Sequence, residues 1–168
     1  MVPLLVAGLF CLPFQNQAAF PFNDGDRVCL IGNSLAERMQ HHGWLETLLQ
    51  AQLPQRNLAF RNLGFPGDQV NRRPRSKGFM SHSDYLKHCQ ADVIFVMFGY
   101  NEAYRGPEGL EEFTTHLDQL IEEYRALRPN GTHAPRFVLF SPIAHENLND
   151  PNLPDGSRNN QNLALYSE

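Results

Sequence analysis

From Arg27 onward the chain alternates between short, continuous apolar runs and longer amphipathic stretches. The apolar runs occupy residues 28–31 (VCLI), 58–63 (LAFRNL), 92–98 (DVIFVMF) and 136–140 (RFVLF). Such alternation is typical of βα units built around a parallel sheet. The run at 92–98 is apolar at every position after Asp92, as expected for a central strand that is covered on both faces. The pattern therefore predicts an α/β fold with a mostly parallel sheet.

Helical spacing of apolar residues fills the intervals between these runs. One helix is predicted from Leu35 through Leu49, ended by Pro54, and a short one over 83–89. Residues 109–127 place apolar side chains on one face and acidic ones largely opposite, which predicts an amphipathic covering helix. A last apolar stretch at 163–166 predicts a helix that is only starting as the chain stops.

The N-terminal segment differs from the rest of the chain. Residues 1–14 carry no charged side chain, and a small-residue run ends at Ala19. This resembles a secretory signal peptide, although the usual basic start is missing, and the apolar run is shorter than the about 20 residues that span a bilayer. We expect residues 1–19 to be a signal peptide and the protein to be exported, to the periplasm or beyond the cell. A frayed or buried N-terminal segment is the alternative.

Composition restricts the function classes. The chain has 168 residues, 42% hydrophobic, which suits one domain over residues 20–168. Its net charge of −4 argues against a nucleic-acid partner. Neither a C-x-x-C pair nor a histidine at metal-ligand spacing from a carboxylate or cysteine occurs, so no metal or other cofactor is expected. A nucleotide site is disfavoured because both G-x-G-x-x-G and a P-loop are lacking.

Small polar groups coupled to glycine follow the first three predicted strands, at the sheet edge where α/β proteins bind ligands. Ser34 follows the first, Gly67 the second and Asn101 the third. Together they predict an acyl-transfer site: Ser34 is the nucleophile, and the backbone N–H groups of Ser34 and Gly67 and the Asn101 amide bind the oxyanion. Taken singly, each has a more ordinary explanation, as a helix cap, a turn residue and a loop amide.

The three segments GNSL (32–35), NLGFPGD (62–68) and GYNE (99–102) resemble, in order and spacing, the first three sequence blocks of the SGNH (GDSL-like) hydrolase family. The resemblance implies a flavodoxin-like, three-layer α/β/α fold and metal-free hydrolysis of esters. It matches the family's serine and its two oxyanion residues to the positions already singled out. The neighbouring polar residues are predicted to contact substrate. They are Asn33, Asp68, Tyr100 and Glu102.

The sequence departs from the family pattern in three places. Asn33 and Glu102 stand where the family usually has Asp, and the D-x-x-H block that supplies the acid and base is not found after the fourth strand. We expect the chain to be an N-terminal part that lacks the last strand and helix. The alternative base is His145, in the segment SPIAHEN (141–147), which also resembles a family loop near the site.

These observations predict a serine esterase or acylhydrolase acting on a small-molecule or glycan ester, such as a carbohydrate O-acetyl or short-chain ester. The alternative is a non-catalytic, SGNH-like glycan-binding module, or pseudoenzyme, that lacks its base. The cations of residues 72–77 (RRPRSK) predict a rim that attracts anionic substrates, if they are functional.

Overall fold

The computed structural model describes residues 20–167, so the predicted signal peptide over 1–19 lies outside the described residues. A four-stranded parallel sheet forms the centre of the fold, with strand order β2-β1-β3-β4. The strands are β1 (Arg27–Gly32), β2 (Ala59–Asn62), β3 (Val93–Met97) and β4 (Arg136–Leu139). This is the flavodoxin-like order as far as the described strands extend.

Five α-helices connect and cover the strands. They are α1 (Ser34–Met39), α2 (Trp44–Gln52), α3 (His82–Cys89), α4 (Leu110–Leu127) and α5 (Ser157–Leu165). Two short 3₁₀ turns, Glu102–Arg105 and Pro107–Gly109, lie between β3 and α4. Within residues 20–167, none of the helices is long and apolar enough to cross a membrane.

The two central strands bury side chains on both faces of the sheet. Because side chains alternate along a strand, Val28 and Leu30 of β1 face one side while Cys29 and Ile31 face the other. The first pair packs with residues of α1 and α2, and the second with residues of α3, α4 and α5. The sheet is therefore the middle of three layers, and the fold predicted from the sequence is confirmed.

The prediction of a single helix between the first two strands is wrong, because the chain forms two helices there. Helix α1 ends at Met39 and α2 begins at Trp44, after Gly43 adopts a left-handed φ of +58°. An α-helix cannot continue through a left-handed residue, so the chain changes direction. The apolar spacing runs on across the break because both helices face the same side of the sheet.

The last helix also differs from the prediction. Helix α5 already begins at Ser157, six residues before the apolar stretch that suggested it, and it ends within the described residues at Leu165. Its first two turns are polar because Leu163 is its one buried residue. Amide side chains there bond the preceding loop instead: Asn160 accepts from the His145 backbone N–H at 2.7 Å.

Close contact between β1 and β3 fixes where the loops leave the sheet. A Cβ at Gly32, the last residue of β1, would lie 2.4 Å from the Met97 carbonyl oxygen, and Gly32 has a φ of +151°. Only glycine fits this position. The segments that carry the predicted site residues therefore leave adjacent strands side by side.

Candidate active site

Ser34 is the first residue of α1, and its side chain is exposed. The helix is capped by Asn33 instead, whose Oδ1 accepts from the Leu35 backbone N–H at 3.2 Å. The helix-cap explanation of Ser34 is therefore wrong. Among residues 20–167, the Ser34 hydroxyl has no hydrogen-bond partner, so nothing in the described chain competes with a substrate for it.

A cavity of about 370 Å³ opens at Ser34. Four of the predicted site residues contribute to its wall, and they are Asn33, Ser34, Tyr100 and Asn101. Apolar wall comes from Leu35 on α1 and from Pro142 and Ile143 after β4. Such a space, largely apolar with a few polar groups in its wall, is suited to a small molecule.

Asn33 presents a second polar group beside the serine. Its Nδ2 group is buried and has no hydrogen-bond partner among residues 20–167. A buried donor without an acceptor is costly, by about 1–3 kcal/mol. Asn33 also lines the cavity, but the Nδ2 atom itself is not exposed there. An aspartate, usual in the family that the sequence resembles, would offer no such donor at neutral pH.

The Asn101 amide is held by the loop that follows β2. Its Nδ2 donates one hydrogen to the Asp68 backbone carbonyl at 2.9 Å. Since an amide nitrogen carries two hydrogens, the second remains available. Gly67 precedes Asp68 and has a left-handed φ of +81°. Its exposed backbone does not line the cavity wall, and its N–H has no acceptor within the described residues.

Asp68 and Glu102 are buried and occupied by protein contacts, and neither lines the cavity. The Asp68 carboxylate accepts two hydrogen bonds from Arg75, at 2.6 and 2.7 Å. The Glu102 carboxylate accepts from the backbone N–H of Val70 at 2.7 Å and of Gly99 at 3.0 Å. The geometry gives no support to the expectation that these two residues contact substrate; both connect loops at the site.

His145, the alternative base, lies next to the site without lining it. Its Nδ1 is 3.4 Å from the Tyr100 hydroxyl oxygen. His145 instead lines a separate cavity of about 690 Å³ that also includes Tyr104 and Asp155. Burial, followed by the contact with Tyr104, raises the pKa of Tyr100, so its hydroxyl is neutral. In the described residues, therefore, no histidine is hydrogen-bonded to Ser34.

The cationic segment 72–77 is only partly free to act as a rim. Arg73 donates to the Val70 carbonyl and Arg75 to Asp68, so two of its four cations are used inside the protein. Arg72 and Lys77 remain exposed. The contact of Arg75 with Asp68 was not predicted from the sequence. The only signal in the sequence is that Asp68 stands four residues before the first cation of this segment.

His, Cys, Asp and Glu side chains do not gather in threes at metal-binding distance anywhere in residues 20–167.

The segment after β4 forms part of the cavity wall, since Ser141, Pro142 and Ile143 all line the cavity. This position agrees with the resemblance of SPIAHEN (141–147) to a family loop near the site. Arg38 also lines it and was not predicted. It lies one helical turn after Ser34 on α1, a spacing that places both residues on one face.

The fold and site together define a flavodoxin-like α/β protein with a serine exposed at the end of its first strand. The chain belongs to the GDSL-like lipase/acylhydrolase family, whose profile matches residues 30–168. A search of curated protein sequences found no significant match.

Solved structures with the same fold include three enzymes of low sequence identity. A gut microbial diltiazem-metabolizing enzyme has a TM-score of 0.61 and 18% identity over 88% of this chain; the chain spans only 34% of that protein. Axe2, an acetylxylan esterase from Geobacillus stearothermophilus, has a TM-score of 0.57 and 18% identity, over 86% of this chain and 69% of its own. A carbohydrate acetylesterase from Sinorhizobium meliloti has a TM-score of 0.56 and 16% identity, over 84% and 77%.

Proposed function

We propose that this protein is a serine esterase that cleaves short-chain carboxylic esters, with Ser34 as the nucleophile. One observation carries the proposal: Ser34 is exposed on the wall of a small cavity that also contains the Asn101 amide. Membership of the lipase/acylhydrolase family supports the reaction class. The preferred substrate is an O-acetylated carbohydrate, because two proteins of the same fold are described as acetyl esterases of carbohydrates.

In the proposed reaction, the Ser34 hydroxyl oxygen bonds to the ester carbonyl carbon and gives up its proton to a base. The carbonyl oxygen becomes an oxyanion, which accepts hydrogen bonds from the Ser34 and Gly67 backbone N–H groups and from the second Asn101 amide hydrogen. Each such donor contributes about 2.7–4 kcal/mol to transition-state stabilisation. The alcohol then leaves with a proton, and water hydrolyses the acyl-enzyme by the same steps.

The size and lining of the cavity favour a small acyl group. A volume of about 370 Å³ lies near the lower end of the range for small-molecule sites, so a long acyl chain would extend beyond it. Its apolar residues, among them Leu35 and Ile143, suit the methyl group of an acetyl ester.

The proposal is tested by comparing Ser34→Ala with Ser141→Ala in the full chain. Both serines line the same cavity and both are exposed, so the second is a matched control. We expect Ser34→Ala to lower kcat/KM for p-nitrophenyl acetate by at least about 1,000-fold, with Ser141→Ala within threefold of the wild type. Equal activity of the two variants would refute Ser34 as nucleophile. Binding of acetylated xylo-oligosaccharide without turnover by the wild type would indicate a non-catalytic binding module instead.

A further inference from the structure

Asp68 connects an internal ion pair to one of the proposed oxyanion donors. Its carboxylate is fully buried and is held by both terminal nitrogens of Arg75, at 2.6 and 2.7 Å. Its backbone carbonyl accepts the Asn101 amide hydrogen at 2.9 Å. Asp68 therefore accepts hydrogen bonds from Arg75 through its side chain and from Asn101 through its main chain.

Arg75 contacts the Gly67 turn on both sides of the glycine. Its guanidinium lies 4.2 Å from the centroid of the Phe65 ring, two residues before Gly67, while Asp68 is the residue after it. The turn is closed by a hydrogen bond from the Asp68 N–H to the Phe65 carbonyl at 3.2 Å. Both flanks of Gly67 are thus fixed to one planar cation.

The geometry of the Arg75–Asp68 ion pair affects the position of the Asp68 backbone, which accepts the hydrogen bond from Asn101. A buried carboxylate that loses its partner is strongly destabilised, so Asp68 follows Arg75 if that side chain moves. The planar guanidinium donates two parallel hydrogen bonds while stacking on an aromatic ring, a geometry that a lysine ammonium cannot reproduce. The Asp68 hydrogen bonds in turn raise the pKa of Arg75, which keeps the cation charged.

We propose that Arg75 is a positioning residue for the oxyanion hole: it fixes the turn that carries Gly67 and, through the Asp68 carbonyl, the orientation of the Asn101 amide. This inference rests on the proposed esterase function. Arg75 does not line the substrate cavity, so it acts on the transition state through other residues and not by binding the substrate. Its loss should lower kcat with little effect on KM.

The test replaces Arg75 with Lys, which keeps the charge but not the paired hydrogen bonds. We expect kcat for p-nitrophenyl acetate to fall by about 10–100-fold, since a misplacement near 1 Å costs about 100-fold, and KM to stay within threefold. Arg72→Gln is the matched control, because Arg72 belongs to the same cationic segment but is exposed. Its kinetic constants should stay within twofold of the wild type.

A second measurement does not depend on turnover. In ¹⁵N-labelled protein, the Asn101 side-chain NH₂ resonances are assigned by their loss in Asn101→Asp. Arg75→Lys should shift these resonances and speed their hydrogen exchange, whereas Arg72→Gln should leave both unchanged. Phe65→Leu, which removes only the ring beneath the guanidinium, should produce a smaller shift of the same resonances and serves if Arg75→Lys does not fold.

The outcomes separate this inference from the proposed function. An Arg75→Lys variant with wild-type kcat, or with unchanged Asn101 amide resonances, overturns the positioning role. If instead Ser34→Ala is as active as the wild type, Ser34 is not the nucleophile, and only the amide measurement decides whether Arg75 orients Asn101. A rise in KM with unchanged kcat would also overturn the role, since it would show that Arg75 acts on substrate binding.

Discussion

Acid is expected to destabilise the fold through His82, a buried histidine at the start of α3. The residue is 8% exposed, and its Nε2 lies 3.4 Å from an Arg75 nitrogen. Burial, followed by the positive charges of Arg73 and Arg75, lowers its pKa to about 3. Its Nε2 is also 3.7 Å from an Asp68 oxygen, but a neutral imidazole forms no ion pair there.

The size of the effect follows from the difference between the two states. In the unfolded chain a histidine titrates near 6.5, so below that pH the unfolded state binds a proton that the folded state does not. Stability is therefore fully present above about pH 6.5 and is lost as the pH falls toward 3, the folded pKa. At pH 5 the loss is about 2 kcal/mol relative to pH 8, and at pH 4 about 3 kcal/mol.

Urea unfolding at pH 8 and pH 5 measures this term when the wild type is compared with His82→Gln. Glutamine can accept from Arg75 and does not titrate, so the variant should lose about 2 kcal/mol less than the wild type between the two pH values. His88→Gln, an exposed position on the same helix, is the control and should change both free energies of unfolding equally. If wild type and His82→Gln lose stability in parallel, within about 0.5 kcal/mol, the reasoning is refuted.

Two further predictions concern the core. Tyr124 is fully buried, its hydroxyl has no hydrogen-bond partner among residues 20–167, and burial raises its pKa to about 12. Because Tyr124→Phe removes this unpaired hydroxyl, it should raise the free energy of unfolding by about 1 kcal/mol. A clear loss of stability in this variant would contradict the prediction. Gly32→Ala should cost about 3 kcal/mol or more in thermal unfolding, because the new Cβ would collide with the Met97 carbonyl. Gly43→Ala, where nothing lies within 4 Å, should cost only about 1–2 kcal/mol.

The strands could be predicted closely because their signal is local. The run at 92–98 forms a strand at Val93–Met97. Burial on both faces of the sheet explains why every residue of this strand is apolar. The break at Gly43 was missed for a related reason. Residues on both sides of it face the same core, so the hydrophobic spacing carries no record of the turn.

The candidate site could be predicted in part. Ser34 and Asn101 were predicted to lie close together because parallel strands end at one edge of the sheet, and the structure brings both to one cavity wall. The parts played by Asp68 and Arg75 could not be found this way. The sequence around a carboxylate that follows a strand is the same whether the side chain contacts substrate or a buried arginine. Only the path of the loop determines which of these contacts Asp68 makes.

The two buried carboxylates near the site have a common consequence. Glu102 joins the Val70 N–H, in the loop after β2, to the Gly99 N–H at the end of β3. Asp68 joins the same two loops through its carbonyl and the Asn101 amide. A glutamate reaches further than the aspartate usual in the family by one methylene, which suits a carboxylate that accepts from two separate loops.

These hydrogen bonds join the loop after β2 to the loop after β3. Ser34 is placed by β1 and α1, whereas the proposed donors Gly67 and Asn101 belong to different loops that the sheet alone does not hold in register. Donors aimed at a developing charge contribute only if they are fixed before the reaction begins. We infer that the hydrogen bonds of Asp68 and Glu102 supply that order. Replacing either residue is therefore expected to disturb Gly67 and Asn101 together and to leave Ser34 in place.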